Sequence, residues 1–243
     1  NNQMQLKIAS LLLVVILASC TPSQEGTSVE ASEEETGLAL SDSAEINSID
    51  SLMSIITWIG SKPTGKHNGI INISHGEVAI QDDTIAGGSV QIDLTSIQVM
   101  DLDTAGNSKL TKHLLSDDFF DAQNHPTGTF EMTGLTDYDS TQIVTKEEFV
   151  TENTPAQLKA FMVKNPTHLI SGNLTLRGVT KNITFPAEVK ITPSKIKIEA
   201  KFNIDRTDWN LSYNSEAKAV DKAKDKFIYN TVNVGFLVEA NRN

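Results

Sequence analysis

Lys195-Ile196-Lys197-Ile198-Glu199-Ala200-Lys201-Phe202-Asn203-Ile204 alternates without a break. Ile196, Ile198, Ala200, Phe202 and Ile204 fall on one face, and Lys195, Lys197, Glu199, Lys201 and Asn203 on the other. A period of two sets successive side chains on opposite faces of a β-strand, so this stretch predicts a strand buried on one side only. The pattern recurs along the chain. Val90, Ile92 and Leu94 oppose Ser89, Gln91 and Asp93, and Phe130 and Met132 share a face of Thr129–Thr133. Ile183, Phe185, Ala187, Val189 and Ile191 align within Asn182–Ile191, as do Val232, Val234, Phe236 and Val238 near the end. Further strands are expected at Ile55–Ile59, Ile70–Ser74, Glu77–Gln81 and Leu169–Leu176, with Gly, Asp, Asn and Pro supplying the turns. Half-buried strands suit antiparallel sheets, and about eight of them form either a sandwich or a closed barrel. Lysines along the polar faces exclude a membrane-spanning barrel, whose outer faces are apolar and edged by aromatic girdles.

Two helices interrupt the alternation. A short one is expected at Ser108–Leu115. The other opens at Thr154-Pro155-Ala156-Gln157, where Thr caps the helix, Pro suits its first position and Gln completes a capping box. This second helix lies in Ser140–Thr167, which reads as an insertion between strands.

The N-terminal part is organised differently. Lys7 precedes an apolar run, Ile8 to Ala18, that is too short to cross about 30 Å of hydrocarbon as a helix. It ends Leu17-Ala18-Ser19-Cys20, which resembles the bacterial lipobox. Residues 1–19 are therefore expected to be a lipoprotein signal peptide, and Cys20 the acylated first residue of a membrane-anchored envelope protein. Residues 20–49, with Glu33-Glu34-Glu35 and no apolar periodicity, read as a flexible tether, and residues 50–243 as the barrel domain. Cys20 is the sole cysteine, so there is no disulfide framework. With 20 Lys+Arg against 31 Asp+Glu, the net charge of −11 argues against a nucleic-acid-binding surface. The sequence leaves the oligomeric state open.

Four spaced blocks carry a family resemblance. They are Gly65-Lys66-His67-Asn68-Gly69; His113-Leu114-Leu115-Ser116-Asp117-Asp118-Phe119-Phe120-Asp121 with Pro126 and Phe130; Ile170-Ser171-Gly172-Asn173-Leu174-Thr175-Leu176-Arg177-Gly178-Val179-Thr180-Lys181; and Ile204-Asp205-Arg206-Thr207-Asp208-Trp209. In this order they resemble the YceI-like family across nearly all of residues 50–240. The resemblance implies an eight-stranded, lipocalin-like antiparallel β-barrel that binds or carries a polyisoprenoid or similar amphiphilic lipid, without catalysis and without any cofactor beyond that ligand. The Ser140–Thr167 insertion and the lipoprotein tether depart from the family pattern.

The residues expected to line such an interior are Trp58, Phe119, Phe120, Phe130, Phe185, Phe202 and Phe236, with His67 and His113 placed to meet a polar head group. Each has a blander reading. His67 and His113 also fit structural histidines bonded to neighbouring groups, and inward phenylalanines fill a solid barrel as well as they line a hollow one. No His-x-x-x-His or paired-cysteine pattern predicts a metal site, and Asp101-x-Asp103 and Asp117-Asp118 read as turn residues. No serine stands in Gly-x-Ser-x-Gly. Arg177 and Arg206 are expected to pair with carboxylates at strand ends, with contact to an anionic head group as the alternative. Two rival readings of the whole stay open: an envelope enzyme using His67 and His113 as acid and base, and a structural envelope stress protein with a filled barrel.

Overall fold

The computed structural model describes residues 27–139, 163, 165–216 and 227–242. Its strands are β1 (Glu45–Ser48), β2 (Ile55–Lys62), β3 (Gly65–Gln81), β4 (Thr84–Val99), β5 (Thr127–Asp137), β6 (His168–Leu176), β7 (Val179–Ile191), β8 (Lys195–Asp205) and β9 (Thr231–Asn241), with one helix, α1 (Thr104–Leu115). Every neighbouring pair is antiparallel. The order β3-β2-β9-β8-β7-β6-β5-β4 closes through a β3–β4 pairing, so the eight strands β2 to β9 form a barrel. The short β1 adds to the lower half of β3, in line with β2.

The quoted strand behaves as its alternation predicts on the inner face, where Ile196, Ile198, Ala200, Phe202 and Ile204 are all buried. Two expected strands, Ile70–Ser74 and Glu77–Gln81, are one. Where His75-Gly76 suggested a turn, β3 continues through register shifts at Ile70/Asn72 and Ile73/His75. Such bulges bend a strand without ending it, which lets the 17-residue β3 curve round the barrel. The helix starts at Thr104 rather than Ser108, because the Asp103 carboxylate accepts a hydrogen bond from the Gly106 N–H at 2.7 Å and caps it there. The expected helix from Thr154 and the proposed signal peptide with Cys20 lie outside the described residues.

The barrel has two unlike ends. At the upper end the β2–β3 turn, α1, the Arg177-Gly178 turn and a 3₁₀ turn at Arg206–Trp209 gather. At the lower end lie the Asp82-Asp83 turn and the turn of residues 192–194 between β7 and β8.

Residues 27–49, expected to be flexible tether, are bound to the barrel, and their last part is β1. Thr27–Ser32 joins both β8 and β7. The Val29 N–H donates to the Asn203 carbonyl (2.9 Å), the Asn203 N–H to the Thr27 carbonyl (2.8 Å), and Ser32 and Asn182 exchange two backbone bonds (2.9 and 3.1 Å). The chain then crosses β6, where the Glu35 N–H donates to the Asn173 side chain (3.0 Å), and β5, where the Leu38 N–H reaches the Met132 carbonyl (3.3 Å). Low hydrophobicity argued for disorder. Here backbone hydrogen bonds to strand edges and asparagines order the segment without a large apolar surface.

Candidate functional site

Inside the barrel is a cavity of about 820 Å³, a size typical of small-molecule sites. It extends from the rim at Lys62, Pro63 and Thr64 down to Ile49, Val78 and Val238, and its walls are mainly aliphatic and aromatic. An eight-stranded barrel has just enough interior to be filled by side chains or to hold one small ligand; this one is hollow.

Four phenylalanines from four strands meet in its middle. Phe185 (β7) stacks on Phe202 (β8), with ring centres 4.4 Å apart and planes 10° from parallel, and meets Phe236 (β9) edge-on at 5.3 Å. Phe130 (β5) lies 5.7 Å from Phe185. Two glycines make room for the largest rings. A Cβ on Gly172 would come within 2.2 Å of the Phe130 ring, and one on Gly69 within 2.6 Å of the Trp58 ring and 1.8 Å of the Gln98 carbonyl. Phe119 closes the upper end in a second cluster, 5.0 Å from His113 and 5.3 Å from Tyr213. All nine residues singled out in the sequence, Trp58, His67, His113, Phe119, Phe120, Phe130, Phe185, Phe202 and Phe236, border this one cavity.

The two histidines stand at its upper end, each held by a carboxylate. His67 lies on β3, and its Nδ1 is 3.1 Å from an Asp101 oxygen; the other Asp101 oxygen accepts from the Asn68 N–H at 3.1 Å. The His113 Nε2 is 2.9 Å from Asp118. Thus the acidic residues read as turn formers orient imidazoles (Asp101, Asp118) or cap α1 (Asp103).

The arginines correct the sequence reading. Among the described residues, neither has a carboxylate within ion-pair distance. Arg206, 3% exposed, borders the cavity and donates to the backbone carbonyls of Tyr229 (3.1 Å), Leu211, Tyr213 (3.0 Å) and Ile228 (3.1 Å). Burial pushes its pKa below the usual guanidinium value, against the opposing pull of Asp205 and Glu216. Arg177, in the left-handed region at φ 49°, donates to the carbonyls of Phe119 and Asp117, both at 2.7 Å. The two guanidinium groups tie irregular upper-end loops to the barrel, because each offers five N–H donors where loop carbonyls have no strand partner. Tyr213, Leu211, Phe227 and Ile228 belong to this end too, and alternation had no means of revealing them, since they lie on irregular backbone.

A closed antiparallel barrel of eight strands, capped by one helix around an apolar cavity, is a lipocalin-like barrel. The model of the YceI-like domain matches residues 47–240, and the chain belongs to that family. The fold resembles the crystal structure of BcnA from Burkholderia cenocepacia (TM-score 0.54, 16% identity, 79% of this chain and 99% of that one). It likewise resembles a polyisoprenoid binding domain from Saccharophagus degradans implicated in plant cell wall breakdown (TM-score 0.51, 17% identity, 82% and 99%). A YCEI protein of Campylobacter jejuni is similar at a TM-score of 0.45, with 21% identity over 71% of this chain and 84% of the other. No curated protein matches significantly.

Proposed function

We propose that this protein binds a polyisoprenoid or similar amphiphilic lipid inside the barrel and carries it without altering it, at a bacterial cell envelope to which acylated Cys20 anchors it. The observation that carries the reading is the hollow, phenylalanine-lined interior of about 820 Å³. The fold it shares with a polyisoprenoid binding domain adds support. Each buried methylene contributes about 0.8 kcal/mol, so a tail of a few isoprene units supplies most of a micromolar affinity after the costs of ordering are subtracted. The tail then lies among Phe130, Phe185, Phe202 and Phe236, and the polar head toward His67, His113 and Arg206. On this reading the two imidazole–carboxylate pairs orient hydrogen-bonding groups at the mouth; they are not an acid and a base.

Native mass spectrometry of the protein purified from lipid-producing cells tests the proposal. The expected result is one added mass per chain, released on denaturation, that matches a prenyl-type lipid. Protein that arrives empty and takes up neither a prenol nor a long-chain amide on incubation contradicts it.

A further inference from the structure

The wall of the barrel is not made only of its eight strands. β7 and β8 pair directly from Ala187↔Ala200 to Ile191↔Ile196 and no higher. Above that level β7 remains paired with β6, and β8 with β9, up to their ends. The two inner edges are therefore open to another chain, and Thr27–Ser32 fills the place. Asn203 on β8 and Asn182 on β7 turn their backbone N–H and C=O groups toward it, and all four groups are bonded to it. The segment alternates like a strand, with Thr27, Val29 and Ala31 half-buried and Ser28, Glu30 and Ser32 exposed. Val29 and Ala31 pack against the core. On the cavity side of this seam stand Ile183 and Phe185 from β7 and Phe202 and Ile204 from β8.

We propose that this upper β7–β8 seam is a side port through which the tail of an amphiphilic lipid enters the cavity from a bilayer, with Thr27–Ser32 as its removable wall. The proposal rests on the lipid-binding reading above. The width is bounded by strand spacing: edges bridged by one inserted strand stand up to two spacings, about 9.5 Å, apart, and the gap opens above the level where the Phe185 and Phe202 rings stack 4.4 Å apart across its inner side. A prenyl chain is no thicker than the strand that fills it. The bonding is asymmetric in the right sense, since four backbone hydrogen bonds hold the segment to the two edges while β8 and β9 pair over their whole length. The partner follows from the chain itself. If Cys20 is acylated, seven residues (27 − 20) separate the anchor from the seam, a reach of at most about 25 Å. The port is then held within that distance of the membrane surface.

The test opens and locks the seam in the full-length chain. Ser32 and Asn182 exchange both backbone bonds, a geometry with Cα atoms about 5.5 Å apart, within disulfide reach. Ser32→Cys/Asn182→Cys is therefore expected to lock the wall when oxidised. Uptake of dansyl-labelled geranylgeraniol from phosphatidylcholine–phosphatidylglycerol vesicles is followed by stopped-flow fluorescence. The expected result is uptake at least about tenfold slower in the oxidised form, recovery on reduction, and an unchanged amount bound at equilibrium. Val29→Ser/Ala31→Ser, which loosens the wall, is expected to speed uptake at least about threefold, and it carries the test alone if circular dichroism shows the double-cysteine variant unfolded. Uptake at the wild-type rate in the locked form, or in the loosened variant when that one stands alone, overturns the port and leaves lipid binding intact. A wild-type chain that never takes up the probe overturns the binding reading and the port with it.

Discussion

Arg206 shows how a single residue organises the open end of this barrel. Its guanidinium serves four backbone carbonyls from residues 211–229, so truncation leaves buried acceptors without donors, at about 1–3 kcal/mol for each that water does not reach. Arg206→Ala is accordingly expected to lower unfolding stability by about 3 kcal/mol or more in urea titrations. Arg206→Lys should recover little of it, because an ammonium group cannot span the same fork of carbonyls. Phe185→Ala is expected to cost about 3 kcal/mol, the low end for buried phenylalanines since one side of the ring already faces the cavity, and to weaken lipid retention in the same preparation. The inward phenylalanines were legible in the sequence because alternation reports which face a residue takes. The arginine roles were not. Carbonyl acceptors are contributed by backbone at any residue, and no side-chain pattern marks them. Asn203 failed the pattern in a more instructive way: it sits on the polar face of β8 yet is 1% exposed, because it receives the Asn233 amide at 2.8 Å and lies at the seam that the N-terminal segment fills.

At the scale of elements, the N-terminal strap is where composition misleads. A stretch rich in Ser, Thr and Glu reads as tether, and its glutamates do remain in water. Thr27-Ser28-Val29-Glu30-Ala31-Ser32 nonetheless carries the same two-residue period as the barrel strands, muted because its inward residues are small. Ser32→Pro removes the donor to the Asn182 carbonyl. In hydrogen exchange it is expected to deprotect the Val29, Asn182 and Asn203 amides by at least about tenfold while the lower β8–β9 amides keep their rates; uniform deprotection of the barrel would contradict a separately held strap. Lys181 also touches this segment, 2.8 Å from Glu33, and holds that carboxyl below its usual pKa. A lowered carboxylate pKa stabilises the docked strap above the ordinary carboxylate range and loses that contribution as pH falls through the shifted value. Because Glu33 is exposed to water, Lys181→Ala is expected to change strap protection less than about threefold at neutral pH. β3 offers the complementary lesson, since Gly76 looked like a turn but serves a bulge, where a Cβ would meet the Ser89 carbonyl at 2.4 Å.

Across the whole molecule, strand count and alternation made an antiparallel β architecture legible but fitted a sandwich as well as a barrel, and it was the resemblance carried by the four motif blocks that implied closure. Whether the centre was hollow was not legible, because a packed and a ligand-bearing interior call for the same inward side chains. Hollowness depends on how Gly69 and Gly172 let Trp58 and Phe130 lie back against the wall, which is a matter of paired registers and not of composition. On the anchoring part of the proposal, Cys20→Ala is expected to move the protein from the membrane to the soluble fraction and to abolish incorporation of labelled palmitate; unchanged fractionation would contradict it. The interior itself is tested most directly by a crystal structure of the protein purified with its native lipids. A continuous tube of density is expected to run past Phe130, Phe185, Phe202 and Phe236 toward His67 and His113. Side chains collapsed into a solid centre with no such density would contradict a lipid-holding barrel.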